Sequence, residues 1–424
     1  MPPKRLAWGP AVVVAVALAV TCANGQEPSF KPRPSRVIPG EVIVKYKAAG
    51  LDKVFPRAEA SRLSEKFGMR TLATARSLGF QKLQLRPGQT FEGASEGLGT
   101  DPIVEYVSRN YVVYPHDVVP NDPGWKELWG LERIGMPRAW DKSKGRRTVV
   151  VAVVDTGVDY QHPDLQANMW RNQQGQVGAA FCTDRSDPSN TRTLPPGPDP
   201  MDRYGHGTHV AGTIAAVGNN GTDVVGVAWE LQIMAVKFLC NVDGSGEIFD
   251  AIRAIEFAVT NGAHILNNSW GGSIGERALE DAIRETGRRG VLVVASAGND
   301  SQNLAQSPNY PASFRIANVI AVAATRPDDT LASFSNWSPT LVHIAAPGVD
   351  ILSLVPRSGV RRDNGTSMAA PHVSGCAALL KALEPARAAS QLKMLLLDRA
   401  DRIKTLQGKV ENERRLNCAA AVGP

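Results

Sequence analysis

Four short segments of the chain carry side chains that together could perform nucleophilic catalysis by serine. They read V-A-V-V-D-T-G at 151–157, G-H-G-T-H-V-A-G at 205–212, A-S-A-G-N-D at 295–300 and N-G-T-S-M-A-A-P-H at 364–372. A serine hydroxyl is a poor nucleophile until a histidine accepts its proton, and that histidine needs an acid partner to fix its tautomer. The oxyanion that forms needs hydrogen-bond donors already in place. The Asp, His, Asn and Ser of the four segments supply all of these parts.

The elements that must position these side chains alternate between strands and helices from about residue 118 onward. Apolar, β-branched runs typical of a parallel sheet buried on both faces predict strands at 148–154, 233–239, 263–267, 291–296 and 319–324. Helical spacing predicts helices at 207–217, 247–261, 276–289 and after Ser367. The fold class is therefore α/β, a layered domain with a mostly parallel central sheet flanked by helices. Asp155, Asn267 and Asn299 follow strands, so they are expected at one rim of the sheet.

Each candidate also has an ordinary structural interpretation. Asp155 could bond the amides of its own turn, and Asn299 could be a turn residue. Ser367 opens a helix and could simply cap it. The functional interpretation gives Asp155 a ring nitrogen of His206 and makes His206 the base for Ser367. Asn299 would then be an oxyanion donor.

A second histidine, His209, lies one helical turn after His206. Two histidines at this spacing could hold a metal ion, but the Glu of the H-E-x-x-H motif is missing. We therefore expect His209 to be a packed structural residue.

Another serine, Ser273, stands in G-G-S-I-G at 271–275, which satisfies the G-x-S-x-G pattern of α/β-hydrolases. This interpretation predicts a serine esterase. It requires an upstream HGGG-type oxyanion loop, which the sequence lacks, and it leaves the other segments unexplained.

The net charge and the N-terminal residues indicate which partners the protein lacks and whether it is exported. The net charge of +6 over 424 residues, without a long Lys/Arg block, argues against nucleic acid as a partner. A basic start and an apolar run at 11–20 are typical of a secretory signal cleaved after Ala23 or Gly25. The run is shorter than the about 20 residues of a membrane span. The residues before Cys22 do not favour a lipoprotein anchor, so we expect a secreted protein without a membrane span.

Residues from about 26 to 117 have the pattern of a smaller α+β unit. Alternating apolar residues predict strands at 41–46, 80–85 and 111–114. Helical spacing predicts helices at 58–67 and 102–106. The turn-rich stretch P-N-D-P-G at 120–124 follows this unit.

Four cysteines remain once the signal is removed: Cys182, Cys240, Cys376 and Cys418. An even number in an exported protein favours disulfides, and four cysteines allow three connectivities. None belongs to a CxxC pair, so zinc is not predicted.

The four catalytic segments resemble the subtilisin-like serine peptidases, and the resemblance covers nearly everything after about residue 118. It implies an enzyme that hydrolyses proteins and peptides through an acyl-enzyme, with no cofactor for catalysis. It implies a triad of Asp155, His206 and Ser367. Asn299 and the Ser367 amide would form the oxyanion hole.

The resemblance also implies a groove in which an extended peptide binds as an added strand. Its two edges would be Gly244, Ser245 and Gly246 on one side, and Ser269, Trp270 and Gly271 on the other. The opposite wall of the main pocket would be Ser296, Ala297 and Gly298. Because Ala297 and Gly298 are small, large apolar or aromatic side chains are expected before the cut bond.

The segment from 39 to 114 is similar to the N-terminal propeptide of this family. The similarity implies a folding aid that also acts as an intramolecular inhibitor. We expect a signal peptide at 1–25, a propeptide at 26–117 and a peptidase domain at 118–424. Self-cleavage is expected between Tyr114 and Pro120, and the mature enzyme is expected to be a monomer.

Two structural features also follow from the resemblance. Calcium is implied because Asp122, Asp164 and Asn219 match positions that bind this ion in relatives, and their oxygens suit it. The family fold brings Cys418 near the helix after Ser367, and Cys182 and Cys240 to the ends of neighbouring strands. It therefore implies the pairs 182–240 and 376–418.

An alternative from another class is a catalytically silent secreted homologue that binds peptides or a protein partner. It would keep the 26–117 segment uncleaved. No triad residue is substituted, so the peptidase is the stronger interpretation. Because His206 must be neutral to accept a proton, activity is expected at neutral to alkaline pH.

Overall fold

A computed structural model describes residues 36–47, 57–112, 118–184 and 192–423. The chain divides into two units, Met1–His116 and Asp117–Pro424, each described separately below. The predicted signal peptide and Cys22 lie outside the described residues, as do residues 113–117 within the predicted self-cleavage region. No helix in the described ranges is long and apolar enough to cross a membrane.

The described part of the first unit is a four-stranded antiparallel sheet with two α-helices. Its elements are β1 (Arg36–Tyr46), α1 (Arg57–Lys66), β2 (Arg70–Ala75), β3 (Phe80–Gln84), α2 (Phe91–Gly99) and β4 (Val104–Val112), with strand order β2-β3-β1-β4. Val42, Val44 and Tyr46 of β1 are buried and alternate with less buried residues, as expected for a sheet covered on one face. They share an apolar cluster with Leu63 of α1 and Leu98 of α2.

The prediction of a helix at 102–106 is wrong. The second helix of this unit is α2, where Thr90 caps the first turn by accepting a hydrogen bond from Gly93 N at 3.2 Å. Three glycines lower the helix propensity of α2, but burial of Ala94 and Leu98 on one face outweighs this. Residues 101–103 instead form a turn before β4.

The second unit contains eight α-helices in its described part. They are α3 (Trp129–Arg133), α4 (Met136–Lys142), α5 (His206–Ala215), α6 (Ile248–Thr260), α7 (Arg277–Arg288), α8 (Thr366–Leu383), α9 (Ala389–Asp398) and α10 (Cys418–Ala421). Its strands are β5 (Gly145–Asp155), β6 (Gly178–Ala180), β7 (Thr183–Asp184), β8 (Arg192–Thr193), β9 (Glu230–Lys237), β10 (Ile265–Asn268), β11 (Leu292–Ser296), β12 (Val319–Thr325), β13 (Ile344–Pro347), β14 (Ile351–Val355), β15 (Gly359–Asp363), β16 (Asp401–Arg402) and β17 (Arg414–Arg415).

Nine of these strands form the central sheet, in the order β16-β17-β13-β12-β11-β10-β5-β9-β6. All neighbours are parallel except β16 and β17. The chain adds β6 and β9 on one side of β5 and then β10 to β13 on the other. The strand order therefore reverses between β5 and β10, and ligands of open α/β sheets bind at the carboxyl edge near such a point. The predicted fold class is confirmed.

Helices cover both faces of this sheet. Val151 and Val153 of β5 belong to a cluster that includes most of α8, whereas Val150, Ala152 and Val154 belong to a second cluster with α6 and α7. This alternation explains why the strand is apolar at every position from 149 to 154.

The predicted disulfide pairs, Cys182–Cys240 and Cys376–Cys418, are both present. The first joins the end of β6 to the loop after β9. The second joins α8, the helix that begins beside Ser367, to α10 near the end of the chain.

Candidate active site

Asp155 is the last residue of β5, and His206 is the first residue of α5. Asp155 is fully buried, and its Oδ1 lies 2.7 Å from His206 Nδ1 and accepts a hydrogen bond from Thr156 N at 2.7 Å. A carboxylate only accepts, so Nδ1 carries the ring hydrogen and Nε2 keeps a lone pair. The His206 side chain is 24% exposed. The pair therefore presents an oriented proton acceptor at the rim of the sheet.

The pKa of His206 lies above its ordinary value of 6.5, as the net result of influences that act in opposite directions. Burial lowers the pKa. The charge of Asp155 and its hydrogen bond raise it, and the charges of Asp202 and Asp363 raise it further. The net shift favours the imidazolium that forms when His206 accepts a proton.

Ser367 is the second residue of α8, in the first turn of the helix. Its Oγ donates to the Ser269 carbonyl at 3.0 Å, and Ser269 Oγ donates to the Ser367 carbonyl at 2.9 Å. Pro371 has no N–H to bond the Ser367 carbonyl four residues earlier, which leaves that carbonyl for Ser269. No hydrogen bond joins Ser367 to His206 among the described residues. Its Oγ–H must therefore change partner for transfer, as is common before substrate binds.

Asn299 lies just after β11 and is held against the start of α8. Its Oδ1 accepts hydrogen bonds from Thr366 N at 2.9 Å and from Thr366 Oγ1 at 3.0 Å. This orientation leaves the Nδ2 donor free to point elsewhere. A Cβ added to Gly365 would lie 3.5 Å from both Asn299 Nδ2 and Ser367 N. Asn299 Nδ2 and Ser367 N therefore both lie near Gly365 at the start of α8, close enough to serve one oxyanion.

A cleft of about 470 Å³ opens next to His206. The two predicted edges, Gly244 to Gly246 and Ser269 to Gly271, both line it. The remaining lining combines the acidic residues Asp243 and Glu247 with a larger apolar set, Phe238, Leu239, Ile248, Ile274, Leu279 and Tyr310. The structure therefore brings together two of the three predicted groove segments with the histidine.

The third predicted groove segment, Ser296 to Gly298, does not line this cleft. It lies beside Asn309, whose Nδ2 donates to the Ala297 carbonyl at 3.1 Å. A Cβ added to Gly298 would lie 3.0 Å from Asn309 Nδ2, and one added to Gly271 would lie 2.5 Å from it. Asn309 thus fills space between the two segments. The sequence did not point to Asn309, because nothing in its local pattern distinguishes it from a turn residue.

The predicted calcium residues meet at the loop after α5. Asp122 and Asp164 are buried, and neither forms an ion pair with a described Lys or Arg. Burial raises the pKa of both, that of Asp164 to about 7, where repulsion by Asp122 also contributes. Asn219 Oδ1 accepts a hydrogen bond from Asn121 N at 3.3 Å, whereas Asn220 Nδ2 donates one to Asp164 Oδ1 at 2.7 Å.

The chemistry of this loop fits a hard cation, because two buried like charges share it without a cationic side chain. No cluster of three or more His, Cys, Asp or Glu suited to a metal occurs in the described ranges. Amide and backbone oxygens would therefore complete the ligand set.

His209 is a packed structural histidine, as predicted. It is fully buried, and its Nε2 lies 3.0 Å from the Ile351 carbonyl and 3.1 Å from the Arg361 carbonyl. Burial lowers its pKa to about 4, so it is neutral at physiological pH. Ser273 lies exposed on the loop before α7 and has no hydrogen bond to a histidine among the described residues.

Comparisons with known proteins agree with this geometry. The profile of the Subtilase family matches residues 146–416. The chain belongs to the subtilase family. The profile of the Fervidolysin N-terminal prodomain matches residues 26–110. The resemblance drawn from the catalytic segments and from the 39–114 segment is therefore confirmed: the chain is a subtilisin-like serine peptidase with a propeptide.

Individual relatives cover different shares of the chain. The thermophilic serine proteinase of Bacillus sp. (strain AK1) is 37% identical over 344 residues, 81% of this chain and 78% of that protein. Thermitase of Thermoactinomyces vulgaris is 38% identical over 67% of this chain and 92% of its own length. A solved protease structure from Pseudoalteromonas arctica PAMC 21717 superposes with a TM-score of 0.62 at 30% identity, covering 72% of this chain and 99% of that one. None of these findings supports the catalytically silent alternative.

Proposed function

We propose that this subtilase is a secreted endopeptidase that matures by self-processing and uses Asp155, His206 and Ser367 as its triad. The observation that carries the proposal is the 2.7 Å contact between Asp155 Oδ1 and His206 Nδ1 at the rim where Ser367 begins α8. The burial of Asp155 and the fixed orientation of Asn299 give further support.

The proposed reaction follows from the hydrogen positions. His206 Nε2 takes the proton of Ser367 Oγ as Oγ attacks the carbonyl carbon of the peptide. Asn299 Nδ2 and Ser367 N donate to the oxyanion that develops. The C–N bond then breaks as His206 gives its proton to the leaving amine. Water hydrolyses the acyl ester with His206 again as base.

Self-processing accounts for the propeptide. The order signal (1–25), propeptide (26–117) and peptidase (118–424) gives an exported zymogen in which cleavage between Tyr114 and Pro120 separates the propeptide. The separated propeptide acts as an inhibitor in trans until it is degraded. The mature enzyme acts as a monomer on protein substrates.

The substrate preference follows from the lining of the groove. An extended peptide pairs with Gly244–Gly246 and Ser269–Gly271, and the apolar cleft between them takes apolar or aromatic side chains. At the pocket bounded by Ser296–Gly298 the small walls favour a large apolar residue before the cut. Asn309 occupies the space between this segment and Gly271, so it would limit how deep that residue reaches.

Structural calcium belongs to the same proposal. Asp122, Asp164 and Asn219 would hold the ion together with backbone oxygens of the loop, and Asn220, which donates to Asp164, would shape that loop. A bound cation would neutralise the two buried carboxylates and fix the N-terminal segment of the mature enzyme to the loop after α5. It takes no part in catalysis.

The proposal is tested by expressing the chain without its signal beside a Ser367→Ala copy and following intact masses over time. We expect wild type to lose the residues up to 114–120 while Ser367→Ala stays whole. Ser273→Ala should process like wild type. Folded protein that stays whole in every variant would overturn the proposal and favour the silent homologue. Equal loss in wild type and Ser367→Ala would show that a host protease makes the cut.

The specificity is tested by mapping the cleavage sites of wild type and Asn309→Gly in an unfolded protein substrate. We expect apolar and aromatic residues before the cut in wild type, and a further shift toward aromatic residues in Asn309→Gly. An unchanged set of sites in the variant would contradict the role assigned to Asn309.

A further inference from the structure

Asp202 is a buried carboxylate that lies four residues before His206 and has no part in the mechanism above. It is only 2% exposed, and five hydrogen-bond donors converge on it. Oδ1 accepts from Tyr204 N and Gly205 N, both at 2.9 Å. Oδ2 accepts from Thr208 N at 3.0 Å and from Thr208 Oγ1 at 2.6 Å. These contacts hold the residues on both sides of His206 at the start of α5.

The fifth donor connects Asp202 to the other half of the triad. Thr156 follows Asp155 directly, and its Oγ1 donates to Asp202 Oδ1 at 3.0 Å. The same Oγ1 accepts from Gly207 N at 2.9 Å. Asp202 and Thr156 therefore join the end of β5 to the first turn of α5.

Every polar group of Thr156 is used in this junction. Its N–H donates to Asp155 Oδ1 at 2.7 Å, and its carbonyl accepts from Lys237 Nζ at 2.5 Å. A residue fixed at its amide, carbonyl and hydroxyl cannot shift alone, so the position of Asp155 is coupled to that of Asp202.

We propose that Asp202 is a positioning residue for the triad, which fixes Asp155 against His206 by holding Thr156 and the first turn of α5, and whose negative charge supports the imidazolium. This inference rests on the catalytic roles proposed for Asp155 and His206. A buried carboxylate suits this role because charge-assisted hydrogen bonds are stronger and more directional than neutral ones.

The charges that face His206 come from several elements. Asp155 ends β5, Asp363 ends β15, and both raise the pKa of His206, as does Asp202. His209 on the same helix is neutral, and Lys237 at the end of β9 is held by Thr156 and attracted to Asp202. Loss of the charge on Asp202 should therefore lower the pKa of His206.

The test compares wild type with Asp202→Asn, and with Asp199→Asn as the matched control. Asp199 is an exposed carboxylate three residues away that touches neither Thr156 nor α5. Hydrolysis of a peptide amide is measured from pH 5 to 10, with active sites counted by a fluorophosphonate. For Asp202→Asn we expect kcat per active site to fall by about 10²-fold, the cost of a misplaced catalytic group, with little change in KM. The acid limb should move to lower pH. Asp199→Asn should match wild type in both.

The outcomes separate this inference from the proposed function. Wild type that neither hydrolyses the peptide nor reacts with the fluorophosphonate contradicts the proposed function. Active wild type together with Asp202→Asn of unchanged kcat and unchanged pH profile overturns the positioning role. A lower melting temperature with unchanged kcat per active site would assign Asp202 to stability only, and would also overturn it.

A second pair of variants applies if Asp202→Asn does not fold or mature. Thr156→Val removes the hydroxyl that joins Asp202 to Gly207 and keeps the side-chain volume, whereas Thr156→Ser keeps the hydroxyl. We expect Thr156→Val to lower kcat with KM unchanged. Thr156→Ser should keep most of the wild-type kcat. Equal kcat for Thr156→Val and wild type would contradict the inference.

Discussion

His206 has a pKa set by opposing influences, and this fixes how activity should depend on pH. Burial lowers the pKa, while Asp155, Asp202 and Asp363 raise it above 6.5. Only neutral imidazole can accept the Ser367 proton, so protonation inactivates the enzyme.

The acid limb of kcat/KM is therefore expected to have its midpoint above pH 6.5, with activity retained toward alkaline pH. Asp363→Asn removes one of the charges that favour protonation, so it should move this midpoint to lower pH. The measurement is kcat/KM for one peptide amide across the pH range. A midpoint below 6 in wild type, or a shift to higher pH in Asp363→Asn, would contradict the electrostatic account.

Asn299 offers a test of the oxyanion donors. Asn299→Ala removes a donor that engages the substrate only as the oxyanion forms, so kcat should fall while KM stays nearly constant. The expected loss is about 10²–10³-fold, which is the effect of removing such a donor in subtilisin. Asn261→Ala, at the end of α6 and outside the site, is the matched control. A rise in KM with kcat preserved would instead assign Asn299 to ground-state binding.

The side chains proposed here as catalytic could be proposed from the sequence, because each lies in a short segment with a recognisable local pattern. Asp202 could have been found as an acidic residue just before a glycine-flanked helix start, a position where carboxylates accept backbone amides. Asn220 and Asn309 could not have been found in this way. Their roles depend on contacts with residues 56 and 12 positions away, which local spacing does not encode.

Among the elements, the strands of the central sheet were the most predictable. Runs such as 149–154 are buried on both faces, and burial leaves an unbroken apolar signal. The helices α5, α6 and α7 begin and end within two residues of the predicted bounds. The helix wrongly predicted at 102–106 shows the limit. The helix of this region is α2, which ends before residue 102. The Thr90 cap and tertiary burial stabilise α2 despite the low helix propensity of its glycines.

Removal of the disulfide between α8 and α10 tests how much this bond stabilises α8, the helix that contains Ser367. Cys376 and Cys418 are 42 residues apart and fully buried. Replacing both by Ala should destabilise the protein by about 2–5 kcal/mol, because the unfolded chain gains freedom. Thermal unfolding is measured in the Ser367→Ala background, which prevents autolysis. A melting temperature equal to that of the parent would show that packing of α10 alone is sufficient.

For the whole molecule, the calcium proposal predicts a stability that depends on free cation. A ligand that binds only the folded state, at a free concentration about 100 times its Kd, raises the free energy of unfolding by about 2.7 kcal/mol. A chelator should therefore lower the melting temperature of the Ser367→Ala protein, and added Ca²⁺ should restore it. Asp164→Asn should lose this response. No change with chelator in the parent would contradict the calcium site.

The proposed maturation gives the two units of the chain distinct fates: removal of the propeptide and persistence of the peptidase unit. The larger unit holds the whole proposed site, from Asp155 on β5 to Ser367 on α8. The central claim is that Ser367 is the nucleophile of this unit.

The most direct test is to react the mature enzyme with a fluorophosphonate and map the modified residue by peptide mass spectrometry. We expect one label per molecule, on Ser367, and loss of the label when His206 is replaced by Ala. A label on Ser273, or folded protein that takes up no label, would contradict it.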